Sequence, residues 1–236
     1  MKNYLLLSGL LVSCLLTFSQ KETSLSAGRN EYIQENYADA LKLFALAAIE
    51  EPANAEVPYL TGHVYADIND YKNAVVFFEK AIAMDSSRSK WIYECGLAYY
   101  AVPNYKRSLL FIELAGIKGY KLTCDYQENL ANAYVNTQQY VKAIDVYKEI
   151  IRKKPSSQDI LFQLAQAYFN TASYQEAIDT WAQLLTLDTT NADALYMTGL
   201  SYQKKGETVR GQQLCDKAIV WDPSLASKKK TMGGNL

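Results

Sequence analysis

The 236-residue sequence contains a single histidine, His63. One imidazole cannot build a histidine-rich metal site, and histidine-based catalysis has little to work with. Five prolines and eleven glycines are few, which argues against a turn-rich β architecture. None of the four cysteines forms a CxxC pair, so neither a zinc ribbon nor a redox motif is indicated. There is no basic excess: 24 basic residues stand against 25 acidic ones, for a formal charge of −1. Such a chain lacks the counter-charge that phosphate neutralisation needs, which argues against nucleic acid as a partner.

What is present is an ordinary globular balance. Hydrophobic types make up 49% of the residues and charged types 21%. A chain of this length can bury a sizeable core, as one large or two small domains. Tyrosine is abundant, at 19 residues.

The first residues read as an address. Met1-Lys2-Asn3 is a short basic start, and Tyr4 to Phe18 is apolar and uncharged. Thr17-Phe18-Ser19 places small residues at −3 and −1 of a cleavage site, before polar Gln20-Lys21-Glu22. Residues 1–19 are therefore expected to be a cleaved secretory signal peptide, and the apolar stretch is short for a bilayer span of roughly 20 residues. Export to a periplasm follows as the expected localisation. Leu11-Val12-Ser13-Cys14 also resembles a bacterial lipobox, which would make Cys14 a lipidated first residue and the product an outer-membrane lipoprotein. Against it, the apolar run continues past Cys14 through Leu15-Leu16. An uncleaved anchor is the third alternative. Membrane contact is expected only with lipidation at Cys14. The remaining cysteines, Cys95, Cys124 and Cys215, are odd in number. Cys95 and Cys215 read as small buried hydrophobes, and a Cys95–Cys124 disulfide stays open.

A repeat of 34 residues organises the rest. Tyr37, Tyr71, Tyr105, Tyr140 and Tyr174 keep this beat, with one extra residue between the third and fourth. Tyr65, Tyr99, Tyr134, Tyr168 and Tyr202 repeat it. Small residues follow in register at Gly28, Gly62, Gly96, Ala131, Ala165 and Gly199, and again at Ala40, Ala74, Ser108, Ala143, Ala177 and Gly211. Within a unit, apolar residues recur at i, i+3, i+4 and i+7 on two segments separated by a polar turn such as Asn170-Thr171-Ala172-Ser173.

This pattern resembles the tetratricopeptide repeat family. Its small, aromatic and proline positions are met in the fourth unit by Tyr134, Ala143, Tyr147 and Pro155, and in the second by Gly62, Tyr65, Ala74, Phe78 and Ala81. The units would be 21–54, 55–88, 89–122, 124–157, 158–191 and 192–225, with Thr123 inserted and 226–236 a short cap and tail. The resemblance implies an all-α, right-handed superhelical solenoid of about six helix-turn-helix units over 20–225. Small residues would lie at helix crossings. Ile150 and Leu184, bulky where the family has a small residue, are expected to widen the local spacing or change the pitch.

The resemblance also implies a concave face lined by the first helix of each unit. It would present Tyr59 and His63 from the second unit, and Tyr93, Leu97 and Tyr100 from the third. Asn132 and Asn136 follow from the fourth, Phe162, Gln166, Phe169 and Asn170 from the fifth, and Tyr196 from the sixth. Aromatics offer rigid contact area and amides can pair with an extended backbone. The Lys and Asn pair with which some family members clamp a carboxylate does not occur. His63 is expected to contact Asp67 along its helix. No catalytic group, cofactor or metal ligand is indicated. The expected function is a non-enzymatic scaffold holding an extended peptide or partner helix, with a lipid-anchored component of an envelope assembly or secretion complex as the alternative. At the first unit, Leu25, Tyr32 and Ile33 form a candidate apolar patch.

Overall fold

The computed structural model describes residues 23–227, and all the secondary structure described is helical. The signal-peptide assignment, Cys14, and the tail from Lys228 lie outside the described residues. The chain divides into two compact units, one ending at Pro52 and one starting at Ala53.

The first unit is one helical pair, α1 (Ser24–Ile33) and α2 (Tyr37–Glu50). Thr23 caps α1, its hydroxyl accepting from the Ser26 N–H at 3.1 Å. Leu25, Ala40, Phe44 and Ala47 form its small core. Of the apolar patch, Leu25 is buried, Tyr32 is half-buried beside Tyr37, and Ile33 is exposed.

The second unit stacks five pairs: α3 (Glu56–Asp67) with α4 (Tyr71–Met84), α5 (Ser89–Ala101) with α6 (Tyr105–Ile117), and α7 (Cys124–Asn136) with α8 (Tyr140–Lys153). It continues with α9 (Gln158–Asn170) and α10 (Tyr174–Leu187), then α11 (Ala192–Lys205) and α12 (Thr208–Trp221). Each pair coincides with one sequence repeat. The tyrosines of the first ladder are the first residues of their second helices. Just before most of them the backbone turns through a left-handed residue: Glu35 at φ 62°, Asn69 at 61°, Gln138 at 59° and Ala172 at 58°, with Gly206 at 101° doing the same before Thr208 of α12.

Close helix crossings explain the small-residue ladders. A Cβ on Gly96 would lie 2.8 Å from Ile112 Cγ1 and 3.1 Å from the Ile112 backbone nitrogen. One on Gly199 would lie 2.6 Å from the Gly211 carbonyl oxygen. The bulky Ile150 and Leu184 are fully buried, each absorbed into an apolar cluster that spans successive pairs.

The inserted residue has a structural use. Helix α6 ends at Gly119, φ 86°, with the Tyr120 N–H bonded to the Ala115 carbonyl at 2.9 Å. The chain then needs one more residue before α7, and Thr123 becomes the α7 cap by accepting from the Tyr126 N–H at 3.1 Å. At the end of the last repeat Leu225 is buried in the core of α9 to α12. Among the described residues, Cys95, Cys124 and Cys215 form no disulfide, so the Cys95–Cys124 pair left open by the sequence is not made.

Candidate partner-binding face

Among the first helices, side chains of α3, α5 and α7 meet across successive repeats. Four hydrogen bonds tie neighbouring first helices, one of them between His63 and Glu94. The Tyr59 hydroxyl donates to Glu94 Oε2 at 2.6 Å, Asn129 Nδ2 donates to the Tyr93 hydroxyl at 2.7 Å, and Asn136 Nδ2 donates to the Tyr100 hydroxyl at 2.9 Å. Glu94 and Asn129 occupy the same place in successive repeats, one residue after the aromatic position. That periodicity was visible in sequence, but nothing in it distinguished an internal tie from a solvated polar residue.

These ties set what the expected groove residues can offer. Tyr59 is 8% exposed and stacks on Trp91 with centroids 4.5 Å apart. Tyr93 is 6% exposed and stacks on Tyr120 at 4.4 Å. Tyr196 is 2% exposed. All three are wall rather than open surface. His63 packs edge-on against Tyr59 and Phe78, and its Nε2 lies 3.2 Å from Glu94 Oε2. The partner of His63 that the structure shows is therefore Glu94 of the next repeat, instead of the Asp67 expected along the helix.

Glu94 is a meeting point. Burial raises its carboxyl pKa, but the hydrogen bonds from His63 and Tyr59 and the nearby His63 and Lys90 charges outweigh this and hold it below the ordinary value. Burial pushes the Tyr93 hydroxyl up, against the Asn129 donation that lowers it.

The remaining groove residues come from the third to fifth repeats. Leu97 is half-buried against the central core. Tyr100 is partly open and edge-on to Tyr105 at 5.2 Å. Asn132 Oδ1 accepts the Tyr147 hydroxyl at 2.8 Å, and Asn136 is exposed. In α9, Phe162, Gln166 and Phe169 are half-exposed and Asn170 is exposed. Phe162 rests edge-on upon Trp181 at 4.8 Å, and the buried Trp181 Nε1 finds no hydrogen-bond acceptor among the described residues. Sequence reasoning missed Trp181 as a floor residue because a tryptophan there reads simply as core.

Among the described residues no group of three or more His, Cys, Asp or Glu side chains is placed to hold a metal ion. No helix among them is long and apolar enough to cross a membrane.

A tetratricopeptide repeat model matches residues 55–88, and a model of anaphase-promoting complex, cyclosome, subunit 3 matches residues 123–183. The chain is similar to the solved structure of YrrB, described as a TPR protein with an unusual peptide-binding site. Their TM-score is 0.66 at 25% identity, covering 79% of this chain and 97% of that one. It is also similar to MamA of strain AMB-1, with a TM-score of 0.62 at 21% identity over 72% of this chain and 92% of that one. The C-terminal part of a TPR repeat-containing protein from Cytophaga hutchinsonii aligns with a TM-score of 0.64 at 14% identity, covering 88% and 82%. No curated protein matches the chain. The fold is that of a tetratricopeptide-repeat solenoid: all-α, with consecutive helix pairs packed in sequence order.

Proposed function

We propose that this protein is a non-enzymatic interaction scaffold that holds an extended peptide or partner helix along its first helices. The observation that carries the reading is the contrast within one row of residues. Tyr59, Tyr93 and Tyr196 are buried, whereas Phe162 in the equivalent place of α9 stands half-exposed beside Gln166, Phe169 and Asn170. An aromatic pair flanked by amides offers both a rigid apolar anchor and groups that pair with a main chain. The peptide-binding site named for YrrB supports the same use of the fold. The face is pre-formed, so little ordering entropy is lost on binding.

The test is affinity capture with the full chain and with Phe162→Ala/Phe169→Ala. Loss of a specific partner, with thermal unfolding unchanged, supports the reading. Capture unaffected by the double change overturns it.

Export belongs to the same proposal, carried by the leader at residues 1–19. Intact mass of protein expressed with its native N-terminus tests it. A mature chain starting near Gln20 supports a soluble exported scaffold. An acylated chain starting at Cys14 supports the lipid-anchored envelope component instead, and an unprocessed chain overturns both.

A further inference from the structure

A formal charge of −1 conceals a division of charge between the two helical layers of the second unit. The first helices carry Glu56 and Asp67 in α3, Glu94 against Lys90 in α5, and Asp125 and Glu128 in α7. They continue with Asp159 in α9 and Asp193 against Lys204 and Lys205 in α11. That is seven acidic residues to three basic. The second helices reverse the balance: α4, α6, α8, α10 and α12 carry ten basic residues to seven acidic ones. Glu56, Asp125, Asp159 and Asp193 lie in the first turns of four of the five first helices; α5 has no acidic residue there.

The simplest explanation is the helix dipole, which favours acidic residues in a first turn by about 0.3–1 kcal/mol each. That rule makes no distinction between layers, whereas four of the five helices in each layer of the second unit do. Helices α4, α6, α8 and α12 have no acidic residue in their first turns. They place Lys72, Lys106, Lys142 and Arg210 there, against the dipole. The balance of charge therefore differs between the layers, with two exceptions: α5 places Lys90 in its first turn, and α10 carries Glu176 and Asp179 and no basic residue. Glu94 is engaged internally by Tyr59 and His63, but Asp125, Glu128 and Asp159 are exposed; Asp159 lies one turn before Phe162 on α9, and Asp125 and Glu128 hold the corresponding repeat positions on α7.

We propose that the occupant of this face is a basic, extended peptide segment. An apolar side chain seats on Phe162 over Trp181, and lysine or arginine side chains run along the row formed by Asp125, Glu128 and Asp159. This rests on the scaffold reading above and adds the partner's charge. Neighbouring carboxylates on one face sum their potential, which steers a cationic segment and disfavours an anionic one.

The experiment is selection of a random twelve-residue peptide library on the full chain, followed by anisotropy titration of recovered peptides. Recovered sequences enriched in Lys and Arg are expected. Their affinity should fall at least tenfold in Asp125→Asn/Glu128→Gln/Asp159→Asn, and by a comparable factor between about 50 mM and 500 mM salt, where screening shortens severalfold. Asp125→Glu/Asp159→Glu, which keeps the charge, should retain binding and guards against a folding effect. Peptides that depend on Phe162 but show no basic bias, and ignore the charge variant, overturn the charge assignment while leaving the scaffold reading in place. Failure to recover any Phe162-dependent peptide overturns both. Concentration-dependent self-association abolished by the same carboxylate changes would show that the basic layer of a second copy is the occupant, which also overturns the proposal.

Discussion

Tyr59 and Glu94, 35 residues apart in sequence, meet through a 2.6 Å hydrogen bond across the seam between α3 and α5. The separation is one repeat plus one residue. A carboxylate acceptor makes this stronger than a neutral hydrogen bond, and the rings of Trp91 and His63 pack around the tyrosine. Tyr59→Phe should cost about 1.5–3 kcal/mol, measured as a lower urea midpoint with little change in slope. The Glu94 carboxyl is held below its ordinary value, so its contribution is present above that ordinary value and is lost as pH falls through the depressed one. Glu94→Gln should therefore weaken the acid limb of the stability profile. An identical acid limb in the variant would show that the tie does not contribute.

The helix crossings make the sharpest packing prediction. Gly96→Leu must displace Ile112, including its backbone nitrogen, and should destabilise by about 1–3 kcal/mol or more. Gly199→Ala faces a carbonyl oxygen and should be costly for so small a change. A melting temperature unchanged by either substitution would refute the assigned register.

At the turns, backbone conformation and residue type disagree. Ala172 and Gln138 hold left-handed φ, a conformation that costs an L-residue about 1–2 kcal/mol. Ala172→Gly should be neutral or stabilising, since relief of that strain offsets glycine's extra unfolded-state entropy of about 0.5–1 kcal/mol. Gly206→Ala should do the reverse. Thermal denaturation of the two single variants checks the order, and a loss of stability in Ala172→Gly would contradict it.

Alkaline pH should unfold the protein through its tyrosines. Burial raises Tyr93, Tyr126 and Tyr196, and pushes Tyr99 up to about 12 with help from Glu79. Tyr134 and Tyr147 are raised further, chiefly by burial. A group raised in the folded state contributes stability that is complete below its unfolded value, 10.0, and is lost as pH climbs through the folded one. Urea midpoints should hold from about pH 8 to 9.5 and fall steeply by about pH 11. Tyr147→Phe should lessen the fall, and an unchanged slope would show that this hydroxyl is not protected.

The sequence by itself determined the period, the number of helical pairs and the crossing points. Those features are local or strictly repeated: a 3.6-residue apolar beat within each helix and a small residue wherever Gly96 or Gly199 must admit a neighbour. Even the extra residue was legible as an insertion, although only the αL turn at Gly119 showed why Thr123 then caps α7. Tertiary structure decided how each member of the aromatic row is used. Tyr59, Tyr93 and Phe162 look alike in sequence, yet two are sealed against Trp91 and Tyr120 while the third stays half-open above Trp181. The partner of His63 was decided there too, because Glu94 comes from the next repeat. Exposure and hydrogen-bond partnership depend on what stacks alongside, and a single repeat carries no record of its neighbour's side chains.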